Sequence, residues 1–425
     1  MKMNQVKSQR VGDCYYEMKH PSGLQIFVYP KENSHSTYAI FGTRYGSVDT
    51  SFQRSDEQEA STVPEGIAHF LEHKLFESED GDAFSRYAKT GASANAYTSF
   101  DMTCYLFSCT ENVYDSLEIL LDFVQSPYFT EQTVQKEQGI IGQEIRMYDD
   151  DPQWRVLFNM LGGMYHQHPV KIDIAGTVES IAKITPDYLY RCYHTFYNLN
   201  NMVLCVAGNI DPERVAELAD KMLKPSEPVE IKRIMAEEPD GVLKHRVEQK
   251  LSVAVPLFQF GFKENAAQRA SIKQLVRTEI LLEILASEAS PLFRKLLDAG
   301  LINESSFATE YFEGPGYAAV IFAGESKDPD KVAEEIKKEI ARLREEGIDA
   351  KAFARAKKAV YGRNVASLNS AENIANAMVS LTFAGRELFQ YLDEIANTEL
   401  EDIGKRLEEQ MNPEYSTLSV VSPIN

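Results

Sequence analysis

The chain has 425 residues, 44% hydrophobic and 25% charged, which excludes a disordered protein and a single small core and leads us to expect roughly two or three domains. A formal net charge of −20 without any basic cluster excludes nucleic-acid and anionic-membrane binding; it describes a solvated acidic surface, compatible with basic peptide substrates. The opening segment lacks a signal-peptide core and no apolar run is long enough to span a membrane, while five cysteines without a C-x-x-C pair read as reduced thiols of a cytoplasmic protein.

In chain order, "CYYEMKHPSGLQIFVYP" is two strand-like runs around a Pro-Ser-Gly turn, and "STYAIFGTRYGSV" is a further strand. Pro64 is expected to open a helix carrying "GIAHFLEHKLFE", since proline suits a first helical turn. "GDAFSRYAKTG" is a short helix stopped by Gly91, "ASANAYTSF" and "MTCYLFSC" are paired strands, and two long helices follow near 113–125 and 131–148. A third helix ends near Tyr197, and "NMVLCVAGN" is a buried strand. "KPSEPVEIKRIMAEEPDG" is rich in proline and charge and marks a linker.

The second half repeats this plan in order and spacing. "LSVAVPLFQFGFKE" is a strand, "VRTEILLEILASEASPLFRKLLDAG" is helix, break and helix, "YAAVIFAG" parallels "MTCYLFSC", two helices follow, and "EYSTLSVVS" closes as "NMVLCVAGN" does. The expected fold is therefore α+β: two similar α/β domains, each an antiparallel-type sheet packed by helices. They span 1–224 and 250–425, joined by a linker at 225–249. The second copy has "TEILLEILA" where the first has "IAHFLEHKL", so histidines are not needed to build that helix.

Residues four apart share one helix face, so His69 and His73 present both imidazoles to one point, as two zinc ligands do. Glu72 flanks that face, where it can serve as a general base without being a ligand. In "TVQKEQGIIGQEIRMYDD", Glu137 and Glu144 lie two helical turns apart beside isoleucines. One can supply a third ligand and the other can orient a histidine; ordinary surface glutamates are the alternative. "YHQH" at 165–168 is read as a turn, because an i, i+2 pair does not converge on a helix.

His69-Phe-Leu-Glu-His73 is the H-x-x-E-H motif of the inverzincins, and the chain resembles the insulinase and mitochondrial processing peptidase family, in particular its short bacterial members. "TGASANAYTSFDMTCYLF" and "EQGIIGQEI" continue the likeness, which covers the two-domain plan but has its specific motifs in the first domain. The resemblance implies one Zn²⁺ per chain held by His69, His73 and Glu144, Glu72 as base and proton shuttle, and Glu137 behind the ligands. Asn95 and Ala96 would lie on an edge strand that pairs with an extended peptide. Many relatives also place an Arg and a Tyr in the second domain; here "LFRKLLDAGLINESSF" offers Arg294 at an unmatched spacing and no tyrosine, so neither role is assigned. The family encloses substrate in a clamshell chamber of four such domains. This chain would supply half of it and pair with itself or with a related, often inactive, partner. The expected activity is hydrolysis of short or unfolded peptides by a zinc endopeptidase, including maturation of a leader peptide. The rival is a non-catalytic peptide-binding or assembly subunit.

Overall fold

The computed structural model describes residues 1–79, 81–264 and 269–424. The first half opens with strands β1 (Met3–Lys7), β2 (Cys14–Lys19), β3 (Gln25–Pro30), β4 (Thr37–Thr43), β5 (Ser51–Arg54) and β6 (Ser61–Thr62), then helix α1 (Ile67–Leu75). The short strands β7 (Glu77–Ser78) and β8 (Gly81–Asp82) lead to α2 (Ala83–Thr90), the hairpin β9 (Ser93–Thr98) and β10 (Thr103–Cys109), and helices α3 (Val113–Phe123) and α4 (Glu131–Asp149). Next come α5 (Pro152–Met164), α6 (Val178–Ile181), α7 (Pro186–Phe196), β11 (Met202–Gly208), α8 (Pro212–Met222) and β12 (Ile231–Arg233). The second half contains β13 (Arg246–Leu251), β14 (Leu257–Glu264), α9 (Ile272–Ala286), α10 (Pro291–Asp298), β15 (Ala308–Gly314) and β16 (Tyr317–Glu325). It ends with α11 (Pro329–Glu346), α12 (Ala350–Ser367), α13 (Ala371–Phe383), α14 (Leu388–Asn397), α15 (Leu400–Glu409) and β17 (Ser416–Pro423).

The mixed α/β architecture is present, and its duplication extends to strand order. One sheet runs β1-β2-β3-β11-β4-β10-β9 and the other β13-β17-β14-β16-β15. Within them, β3-β11-β4-β10-β9 and β13-β17-β14-β16-β15 share one pattern, a single parallel pair followed by antiparallel pairs. The edge strands β9 and β15 and the helices α1 and α9 therefore occupy corresponding places.

Two compact units result, and neither is continuous in sequence. The first gathers Met1–Ile145, Asp173–Met235 and Val365–Phe389; the second gathers Arg146–Ile172, Ala236–Asn364 and the chain from Gln390 onward. Helix α13, late in the chain, packs on β11 and β4 of the first sheet, while α5, from the first half, packs on β17, β14 and β13 of the second. Gly42 allows the close approach of α13, since a Cβ there would lie 2.9 Å from Val379 Cγ1. The stretch 225–249, read above as linker, is partly built: β12 pairs with β5, and β13 begins at Arg246. No helix among the described residues is long and apolar enough to cross a membrane, and the five cysteines are free thiols.

Helix α1 begins at Ile67, three residues after Pro64, because Gly66 intervenes in the left-handed region (φ 85°). A Cβ on Gly66 would stand 2.3 Å from the Ala175 carbonyl oxygen, so only glycine makes this entry without strain. The helix then buries Ile67, Ala68, Phe70, Leu71 and Leu75.

The second unit holds a buried ion network at its core. The Arg406 side chain, 1% exposed, donates to Glu264 Oε1 (2.6 Å), Glu264 Oε2 (3.0 Å), Tyr311 Oη (3.1 Å) and Thr278 Oγ1 (2.9 Å). Removing one partner of such a pair strands the other charge away from water, so Arg406→Met is expected to destabilise the protein by roughly 3–5 kcal/mol. Urea unfolding measures this; a loss below about 1 kcal/mol would show that the network carries little stability.

Candidate metal centre

Helix α1 contacts β9, β10 and α7, and this packing buries two of its polar groups: His69 and Glu72 are each only 8% exposed. The His69 and His73 rings stand 4.6 Å apart between centroids. From α4, Glu144 reaches both: its Oε1 lies 3.7 Å from His69 Nε2 and its Oε2 3.6 Å from His73 Nε2. One donor atom from each residue lies within 4.8 Å of the other two. Glu137, two turns earlier on α4, holds the far side of His73 with Oε1 3.0 Å from Nδ1. A proton on Nδ1 then leaves the Nε2 lone pair directed at the cluster.

This donor set fits zinc. Gaps of 3.6 and 3.7 Å are too long for hydrogen bonds. They approach the roughly 3.3 Å edge of a tetrahedron whose ligands sit about 2.0–2.1 Å from a central ion. Burial, with His73 adding to it, pushes the His69 imidazole down to about 4, so it stays in the neutral form that ligates. His69 Nδ1 is buried without a hydrogen-bond partner, which leaves Nε2 as its available polar contact. Burial opposes a proton on His73, yet its bond to Glu137 and the neighbouring carboxylates carry it above its ordinary range. Burial acts to raise Glu137, but the His73 hydrogen bond prevails and holds its carboxyl below the usual value.

Glu72 is set apart from the ligands. Its Oε2 accepts a 2.6 Å hydrogen bond from Thr98 Oγ1 on β9, and burial raises its carboxyl above the ordinary range. Thr98 Oγ1 also lies 3.3 Å from Thr103 Oγ1, which donates to the Tyr45 carbonyl at 2.9 Å. Thr98 is the residue that the sequence reading left unassigned; the signal lay in the quoted "ANAYT", three residues past Asn95. Asn95 and Ala96 lie on the same edge strand, opposite Leu106 and Tyr105 of β10, and the Asn95 carboxamide accepts the Ala96 N–H at 2.9 Å.

Other candidates have structural partners. His168 shapes the turn after α5, with Nδ1 accepting from Val170 N at 3.1 Å and Nε2 at 2.9 Å from the Pro315 carbonyl. Arg294 makes an exposed pair with Asp298 on its own helix (2.8 Å).

The comparisons with known proteins converge on one family. Residues 58–178, which contain all seven candidate residues, match the family model described as Insulinase (Peptidase family M16), and residues 183–360 match the Peptidase M16 inactive domain. The uncharacterized zinc protease YmfH of Bacillus subtilis is 42% identical over 98% of this chain and 99% of its own. An M16-like peptidase from Alicyclobacillus acidocaldarius superposes with a TM-score of 0.92 at 36% identity, covering 100% of this chain and 99% of that one. A protease from Helicobacter pylori shares the fold, with a TM-score of 0.80 at 20% identity over 99% of both chains. With a relative this similar over nearly its whole length, the chain belongs to the insulinase family, peptidase family M16.

Proposed function

We propose that the chain is a zinc endopeptidase for short or unfolded peptides, with His69, His73 and Glu144 holding the ion, Glu72 as base and Glu137 orienting His73. Membership of a peptidase family and zinc-protease relatives support hydrolysis of peptide bonds. The single observation that carries the finer reading is the buried Glu72 carboxylate beside the three donors, with one oxygen tied to Thr98. A bound Zn²⁺ supplies Lewis acidity, polarising the scissile carbonyl and acidifying water. Glu72 Oε1 accepts the proton of the attacking water, and the same carboxyl returns it to the departing amine nitrogen. Thr98 fixes the plane of that carboxylate. Asn95 and Ala96, on the free edge of β9, pair with the extended substrate backbone. The five free thiols suit a reducing cytoplasm. The chain aligns over 99% of its length with 46% of pitrilysin at a TM-score of 0.74, which supports its acting as half of a chamber completed by a second copy or a related chain.

Glu72→Gln is expected to lower kcat by about 10²–10⁴-fold on a mixed peptide library while retaining one zinc per chain. Zinc-loaded wild type that cleaves nothing, alone or with a related chain, would favour a binding subunit instead. Glu144→Gln is expected to lose zinc during dialysis against a weak chelator, read by elemental analysis; full retention would remove it from the ligand set. Thr98→Val is expected to lower kcat on the order of tenfold, with KM and zinc content unchanged and Thr98→Ser restoring the rate. An unaltered kcat in Thr98→Val would mean that the hydroxyl does not position Glu72.

A further inference from the structure

In the second unit, the place that corresponds to the metal centre is a cavity of about 360 Å³ beside α9 and β15. Its polar lining carries other chemistry than the first site. Glu279 and Glu283 stand four apart on α9, at the positions of Ala68 and Glu72 on α1, and so share one helix face. Arg363 lies thirteen residues past the first residue of α12, as Glu144 does in α4. Arg363 Nη1 donates to Glu283 Oε2 at 2.7 Å, which commits the cation to that carboxylate. Glu279 is held by neutral donors, Tyr391 Oη to Oε2 (2.8 Å) and Asn364 Nδ2 to Oε1 (3.2 Å). Two carboxylates thus face one guanidinium in a partly enclosed space, leaving one negative charge to be met. Burial raises the Glu279 carboxyl above its ordinary range, against the hydrogen bonds from Tyr391 and Asn364 and the charge of Arg363.

From this cavity, we infer that the second unit binds a monovalent organic cation, the ammonium or guanidinium of a basic side chain. The Tyr311 hydroxyl is tied to Glu264 and Arg406, so its ring serves as a wall, and with Tyr391 it offers aromatic surface to a cation. Leu275 and Leu282 line the same cavity and suit the methylene stem of lysine or arginine. The pocket combines this apolar and aromatic surface with the charged Glu279, Glu283 and Arg363 and the hydroxyls of Ser287 and Thr309, and its volume is that of a small-ligand site. The site needs no zinc and no peptidase activity.

The test is calorimetric titration of the full chain with capped lysine, capped arginine and capped norleucine (acetylated, with a methylamide), and with butylammonium. The basic ligands should bind, norleucine should bind at least about tenfold more weakly, and Glu279→Gln should cost the basic ligands roughly the same factor. The Glu72→Gln protein should bind them as wild type does, which separates this pocket from the metal centre. Capped lysine binding better than butylammonium assigns the pocket to peptides; equal binding assigns it to free amines. Should Glu279→Gln fail to fold, Thr309→Trp, which fills the cavity from β15, should abolish binding. Norleucine binding as tightly as lysine, or folded variants that bind like wild type, would overturn the assignment.

Discussion

Burying a carboxylate and an imidazole, with a second imidazole half-buried beside them, on one turn of an apolar helix is the constraint around which the first unit is built. An ionised side chain away from water is tolerated only with a partner, so each buried group on α1 must be met by a group from elsewhere. Glu72 is met by Thr98 from the edge strand, His73 by Glu137, and both imidazoles converge on Glu144. This explains why α4 must run past α1 with two glutamates two turns apart, and why the hairpin β9–β10 must end beside the helix. The glycine at position 66 lets the helix begin directly against the Ala175 carbonyl, at Ile67, two residues before the buried His69.

Much of this was legible in the sequence, because helical spacing is a strict rule. Histidines at i and i+4 share a face, and so do glutamates at i and i+7; those two facts bring His69, His73, Glu137 and Glu144 into consideration without any coordinates. The duplication was legible for a similar reason, since the order of strands, breaks and helices survives when identities do not. The exchange of α5 and α13 was not. Periodicity shows that a helix has a buried stripe, but not which sheet the stripe covers, and these helices cover the sheet of the other half of the chain. Thr98 escaped because a threonine in a strand is ordinarily a β-former; only the 2.6 Å contact with Glu72 distinguishes it. The helix start escaped because Pro64 is a stronger local signal than Gly66, although the left-handed backbone at Gly66 is what launches the helix.

Charge accounting connects the two halves. Around the candidate metal centre, three carboxylates (Glu72, Glu137 and Glu144) stand with two imidazoles, and burial keeps His69 neutral. A ligating His73 is neutral as well, so carboxylates alone set the charge that a divalent ion would meet there. In the corresponding place of the second unit, Glu279 and Glu283 face Arg363, which leaves one negative charge. The same frame therefore presents carboxylates beside neutral imidazoles in one copy and carboxylates beside a guanidinium in the other. A site with a guanidinium already paired to one carboxylate is poorly suited to a divalent ion, because the incoming charge must displace or repel Arg363. It remains well suited to a single ammonium or guanidinium. The absence of histidines from α9 is thus more than the loss of a metal site: isoleucines stand in their places, two glutamates and a guanidinium gather beside them, and the cation the fold can hold changes with these side chains.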